Sequence, residues 1–226
     1  MATARSLSSA PAASANGALP GLRTEQLPLR ARVNGWLESL TRQVEHSTML
    51  SSAGKAITTS VAKLVPAGPV KDLLSGTWLG HPVHPLLTDV PIGAWTSAVL
   101  LDLAEITGGS RGAARGKSDM LVGIGVLAAL PTAASGLSDE VEDSILAVGA
   151  AHAVGNAVAT GLFAASYVAR RCGHRTQGVA LSLIGLGVLG TAGFLGGHLS
   201  YRKGLGVDHT VFDEPIGDWT AVLAAD

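Results

Sequence analysis

Between residues 86 and 200 the chain strings together four apolar stretches, at about 86–106, 119–138, 145–168 and 178–200. Each is close to the roughly 20 residues that a helix needs to cross the hydrocarbon core of a bilayer. The connections SRGAARGK, SDEVEDS and RRCGHRTQ are short and polar. In lipid every backbone N–H and C=O must be satisfied within the segment, so consecutive spans with short links fold as antiparallel helices. The expected fold class is all-α: an integral membrane up-down four-helix bundle. Composition supports lipid rather than water as the solvent. Only 15% of the residues are charged, against about 25% in soluble domains, and stretches two and four lack the charged outer face of a soluble bundle.

The same numbers exclude several kinds of function. A net charge of −1 with no basic cluster gives no footprint for nucleic acid. The single cysteine, Cys172, rules out an intrachain disulfide, a zinc knuckle or a complete thiolate-held cluster from this chain alone. No P-loop, dinucleotide fingerprint, HExxH or nucleophile elbow occurs. The reading leans away from an enzyme with substrate chemistry of its own.

Four regions follow. Residues 1–30, rich in Ala, Ser and Pro and without the apolar core of a secretory signal, read as a disordered tail. Residues 31–80 form an amphipathic helical region, with Val33, Trp36, Leu37 and Leu40 at helical spacing. Residues 81–203 hold the spans, and 204–226 are a C-terminal tail. The loops after spans one and three carry Arg111, Arg115, Lys117, Arg170, Arg171 and Arg175, whereas the loop after span two carries Asp139, Glu140, Glu142 and Asp143. By the positive-inside rule the first two loops are cytoplasmic and both termini extracytoplasmic.

Span parity then collects polar groups at one membrane face. His81 and His84, in the motif HPVHPLLTDVPIG, precede span one; Asp139 follows span two; His152 lies about two turns into span three; His198 sits in the last turn of span four. Polar stripes run toward the same face: His152, Asn156 and Thr160 at i, i+4 and i+8, Thr132, Ser135 and Asp139 in span two, Asp89, Gly93 and Thr96 in span one, and Thr191 with His198 in span four. Polar groups in hydrocarbon are costly and turn inward, so the stripes describe one pocket. His81, His84, His152 and His198 are its candidate cofactor ligands, for haem b with two axial imidazoles or for a transition metal ion. Asp89, Asp139, Asn156 and Thr160 are its candidate supporting groups. The alternatives are a cofactor-free proton or small-solute pathway and a structural anchor, with HPVHP as an interfacial helix cap. In span four, Gly193 and Gly197 form a GxxxG pair that reads as close helix packing. Asp102 and Glu105 read as interfacial. DEPIGDWT in the tail echoes DVPIGAWT of span one; with no other repeat apparent, the echo reads as coincidence.

LSGTWLGHPVHPLLTDVPIGAW, AHAVGN and GGHLSYRKGLGV together resemble a bacterial family of four-span membrane proteins called domain of unknown function 2231, over about residues 70–207. The resemblance implies a multi-pass protein of the bacterial plasma membrane. It also implies association with a Rieske iron–sulfur domain, which is often fused C-terminally in that family, and the tail FDEPIGDWTAVLAAD looks like the lead-in to one. The two Cys and two His ligand pattern of a Rieske cluster does not follow the tail: either the partner is a separate polypeptide, or the sequence is truncated, or the tail is a remnant. The expected partners are the lipid bilayer and a Rieske or other redox protein.

Overall fold

A computed structural model describes residues 29–108, 115–138 and 143–205. The expected tail over 1–30 lies outside them but for its last two residues, as do Asp139, most of the first two connecting loops and nearly all of the C-terminal tail. The described elements are seven α-helices: α1 Leu29–Glu45, α2 Thr48–Leu64, α3 Pro69–Ser75, α4 Val83–Ile106, α5 Arg115–Ser138, α6 Leu146–Arg171 and α7 Arg175–Tyr201. Short 3-10 turns precede α4 and α6.

Four elements, Val83–Ile106, Arg115–Ser138, Asp143–Arg171 and Arg175–Tyr201, are long and apolar enough to cross a membrane. Within the described residues they exceed the expected spans by a few positions at most ends. Their side chains are distributed inside out relative to a soluble bundle. Leu100, Leu127, Leu130, Val168 and Ile184 are exposed on the outer surface, whereas Ser118, Ser135, Ser166 and Ser182 are fully buried between helices. Small polar residues inside and large apolar ones outside suit a bundle solvated by lipid chains. The chain is thus an all-α membrane helical bundle, as expected.

The chain divides into two compact units, Met1–Arg42 and Gln43–Asp226. In the first, α1 exposes the apolar residues Val33, Trp36 and Leu40. In the second, α4 and α5 pack as one hairpin and α6 and α7 as another; across the hairpins α5 meets α6 and α4 meets α7. Trp95, Ala98, Val122, Ala129, Ala159, Phe163 and Leu189 fill the core. Trp95 and Phe163 stack flat across the centre, ring centroids 4.2 Å apart and 3° from parallel. A smaller cluster of Ile145, Val148 and Leu199, with Val44, Leu195 and Leu205 against it, closes one end.

Helix α2 starts on a Ser47 side-chain cap, whose hydroxyl accepts from the Leu50 N–H at 3.3 Å. It lies against α6 so closely that a Cβ on Gly54 would meet the Leu146 backbone. Helix α3 begins with Pro69 at its first position and ends on the left-handed Gly76 (φ 91°), packed against the His81 carbonyl. That turn sets where α4 enters the bundle. It leaves His81 exposed and makes His84 the second residue of the helix.

Candidate functional site

His84 and His152 meet inside the bundle, ring centroids 6.3 Å apart and planes at 86°. They start from different depths in their helices: His84 is the second residue of α4, His152 the seventh of α6. Depth counted from each helix start would separate them by about 7 Å at 1.5 Å per residue. They come level because α6 begins farther out, where α2 covers its first turn.

Each ring is held by its own hairpin. Nδ1 of His84 lies 2.9 Å from the Thr132 carbonyl on α5, and Nδ1 of His152 lies 2.8 Å from the Ala192 carbonyl on α7. A carbonyl only accepts, so in both rings Nδ1–H donates and Nε2 is left for another partner. Glycine makes each approach feasible: a Cβ on Gly136 would stand 2.6 Å from the His84 ring, and one on Gly196 would stand 2.7 Å from the His152 ring. Asn156, one turn along α6, donates one amide hydrogen to the His152 carbonyl at 2.9 Å and brings the same nitrogen 3.2 Å from His152 Nε2. Thr132, whose carbonyl holds His84, is buried and sends its hydroxyl to the Leu87 and Ala128 carbonyls.

The other expected site residues lie elsewhere. His198 is at the same end of the bundle but is engaged by Glu45, Nε2 to Oε1 3.0 Å, and the same oxygen takes Lys203 Nζ at 2.6 Å. The Lys203 hydrogen bond, and after it that of His198, holds the Glu45 carboxyl below its usual range. His81 is exposed. Asp89 is exposed on the outer side of α4, Thr160 is half-buried, Thr191 is exposed, and Asp139 is outside the described residues. The four-histidine pocket therefore narrows to a pair. Among the described residues no group of three or more His, Cys, Asp or Glu side chains comes together as a metal-ion site.

A second polar centre occupies the opposite end, where sequence reasoning placed only interfacial charge. Arg170 and Asp102 are buried and paired through both guanidinium NH groups; Arg170 also reaches Asp119 at 3.1 Å and the hydroxyls of Ser118, Ser166 and Ser182. Arg175 bonds Asp102, Glu105 and Asp119 at 2.8–2.9 Å, and Arg115 pairs with Glu105. Three carboxylates face three guanidiniums, so the centre is neutral as a whole. Arg115, Arg170 and Arg175 are thereby not free loop cations. The glycine reading also changes: a Cβ on Gly193 would meet nothing within 4 Å and one on Gly197 only Tyr201 at 3.8 Å, whereas Gly185 lies against the Phe163 ring.

The model of a family described as predicted membrane protein (DUF2231) matches residues 80–209, 130 of the 226 positions, a stretch that contains both polar centres. No curated protein and no solved structure matches the chain.

Proposed function

We propose, from the premise that this chain belongs to the DUF2231 family of membrane proteins, that its four-span domain is a redox anchor that binds haem b through His84 and His152. The observation that carries this reading is the pair itself: two inward imidazoles from two hairpins, each with Nδ1 committed to a backbone carbonyl and Nε2 left as the remaining nitrogen. Carbonyl bonds of this kind orient ligating imidazoles and raise their basicity. His84 and His152 would be enough to hold a haem iron, whereas an ion held by protein alone takes three or more side chains. The donor set therefore favours haem over a chelated metal ion.

Bound haem supplies one-electron transfer. The chain's own residues supply position: Thr132 and Ala192 fix the rings, Gly136 and Gly196 let them approach, and Asn156, which keeps its bond to the His152 carbonyl, would give up its 3.2 Å approach to His152 Nε2 when that nitrogen binds. The ionic centre holds the far end of the hairpins closed. We place the histidine end outside the cytoplasm, because Lys117, Arg171 and Arg111 still make the opposite loops net basic after their neighbours are neutralised. The exposed stripe Val33, Trp36 and Leu40 suits α1 to the bilayer surface, and a Rieske or other redox protein on the same side is the proposed electron partner.

The test is a reduced-minus-oxidised absorption spectrum of protein purified after expression with excess haem. Haem bands are expected in the parent, in His81→Ala and in His198→Ala, and are expected to be lost in His84→Ala and His152→Ala. A colourless, folded parent protein would sink the haem reading and leave the imidazole pair as a structural lock between helices.

A further inference from the structure

We infer that the four-span domain is one helical hairpin present twice in the chain, related by a two-fold axis along the membrane normal, and that the His84–His152 site lies on this axis and takes one ligand held equivalently by both halves.

The correspondence is positional. Counting from His84 in α4 and His152 in α6, a glycine follows at +9 (Gly93, Gly161), an aromatic at +11 (Trp95, Phe163) and a charged residue at +18 (Asp102, Arg170). The offset between α4 and α6 is 68 throughout. Between α5 and α7 it is 60, matching Arg115 with Arg175, Leu121 with Leu181, Ile124 with Ile184, Gly125 with Gly185, and Gly136 with Gly196. The difference of eight is a shorter link in the second hairpin. Five identities over one helix would be a weak argument alone.

The contacts make it a strong one, because equivalent residues do equivalent things. His84 bonds the carbonyl of residue 132 and rests on Gly136; His152 bonds the carbonyl of residue 192 and rests on Gly196. Both steps are 60. Trp95 lies on Gly125 and Phe163 on Gly185. Matched residues also meet one another: His84 faces His152, Trp95 stacks on Phe163, and Asp102 pairs with Arg170. Three pairs of equivalent residues in mutual contact, spaced along α4 and α6, trace an axis through the bundle. The packing α5 on α6 and α4 on α7 is one interface written twice by the same rotation. Since α4 and α6 run the same way, the repeat is parallel and its axis is normal to the bilayer.

The ends of the axis differ in kind. At the histidine end the halves agree in imidazole, carbonyl and glycine, and differ in that Asn156 lies beside His152 whereas its counterpart Thr88 donates to the Pro85 carbonyl. At the ionic end the first hairpin supplies Asp102, Glu105, Asp119 and Arg115, a net charge of −2, and the second Arg170 and Arg175, a charge of +2. Two identical hairpins would bring like charges together on the axis; opposite charges direct each hairpin to its unlike neighbour. A group bound at the other end would meet an imidazole from each half, as a haem held by His84 and His152 would. That last clause rests on the haem reading; the duplication does not.

The experiment uses the full chain in detergent and no cofactor. If positions 95 and 163 are equivalent, exchanging their side chains is tolerated: Gly185 accepts the indole as Gly125 does, and the Ser182 carbonyl stands where the Val122 carbonyl accepts from Trp95 at 3.2 Å. Trp95→Phe/Phe163→Trp is expected to melt within about 3 °C of the parent, above both single variants. Gly136→Ala and Gly196→Ala are each expected to lower the melting temperature by about 5 °C, equally within error. A double exchange that melts below both singles, or a glycine pair in which only one variant is destabilised, would overturn the duplication whether or not haem binds.

Discussion

Asp102 and Arg170 close the bundle as a salt bridge in which the carboxylate is 1% and the guanidinium 0% exposed. In a lipid-solvated domain such a pair persists only because every polar atom has a partner, and no buried side-chain nitrogen or oxygen among the described residues lacks one. Removing one member leaves the other without its main counter-charge, which costs about 3–5 kcal/mol in buried pairs. Asp102→Asn and Arg170→Gln are each expected to lower the melting temperature strongly. The double variant should lose less than the sum, since both charges leave together. A thermal denaturation cycle in detergent measures this, and strict additivity would show that the pair is not coupled.

The spans were legible in the sequence because length and apolarity alone determine them. The histidine pair was half legible. Parity put His84 and His152 at one face, but only packing could show that α6 starts farther out than α4, that Asp89 turns to the exterior and that His198 is engaged by Glu45. The ionic centre was not read, because Asp102 and Arg170 sit near span ends, where charge is ordinary, and their partnership is tertiary. One sequence signal could have found it. The spacing His, +9 Gly, +11 aromatic, +18 charge occurs from both His84 and His152.

Glycine substitution separates close approach from mere composition. A Cβ at Gly125 would overlap the Trp95 indole, while one at Gly193 or Gly187 would meet open space. Gly125→Ala is expected to destabilise by about 1–3 kcal/mol through overpacking. Gly193→Ala and Gly187→Ala should be neutral or slightly stabilising, because alanine is the better helix former. Melting temperatures of the three variants decide it; a destabilised Gly193→Ala would point to a helix contact outside this chain.

The Glu45 contact gives a pH dependence of definite sign. Its carboxyl is held below the ordinary value of 4.5 by Lys203 and then His198, so the folded state prefers the ionised form more than the unfolded state does. The resulting stability is fully present above the ordinary value and is lost as pH falls through the lower, folded value. With the side chain 21% exposed, the effect is on the order of 1 kcal/mol. The parent should therefore exceed Glu45→Gln in melting temperature at neutral pH, with the gap closing only below pH 4.5. A gap that closes between pH 7 and 5 instead would assign the effect to another group.

Membrane orientation has a native probe. Cys172 is exposed just past the end of α6, at the ionic end and opposite the histidine pair. If the basic loops face the cytoplasm, a membrane-impermeant maleimide leaves Cys172 unlabelled in intact cells and labels it after permeabilisation. A cysteine at position 140, placed in a Cys172→Ser background, should label without permeabilisation because the loop after α5 carries only acidic charge. The reverse pattern would turn the protein over in the membrane. It would move the imidazole pair to the cytoplasmic side and with it the face that the proposed redox partner would approach, while leaving the pair, its carbonyl bonds and the two-fold axis unchanged.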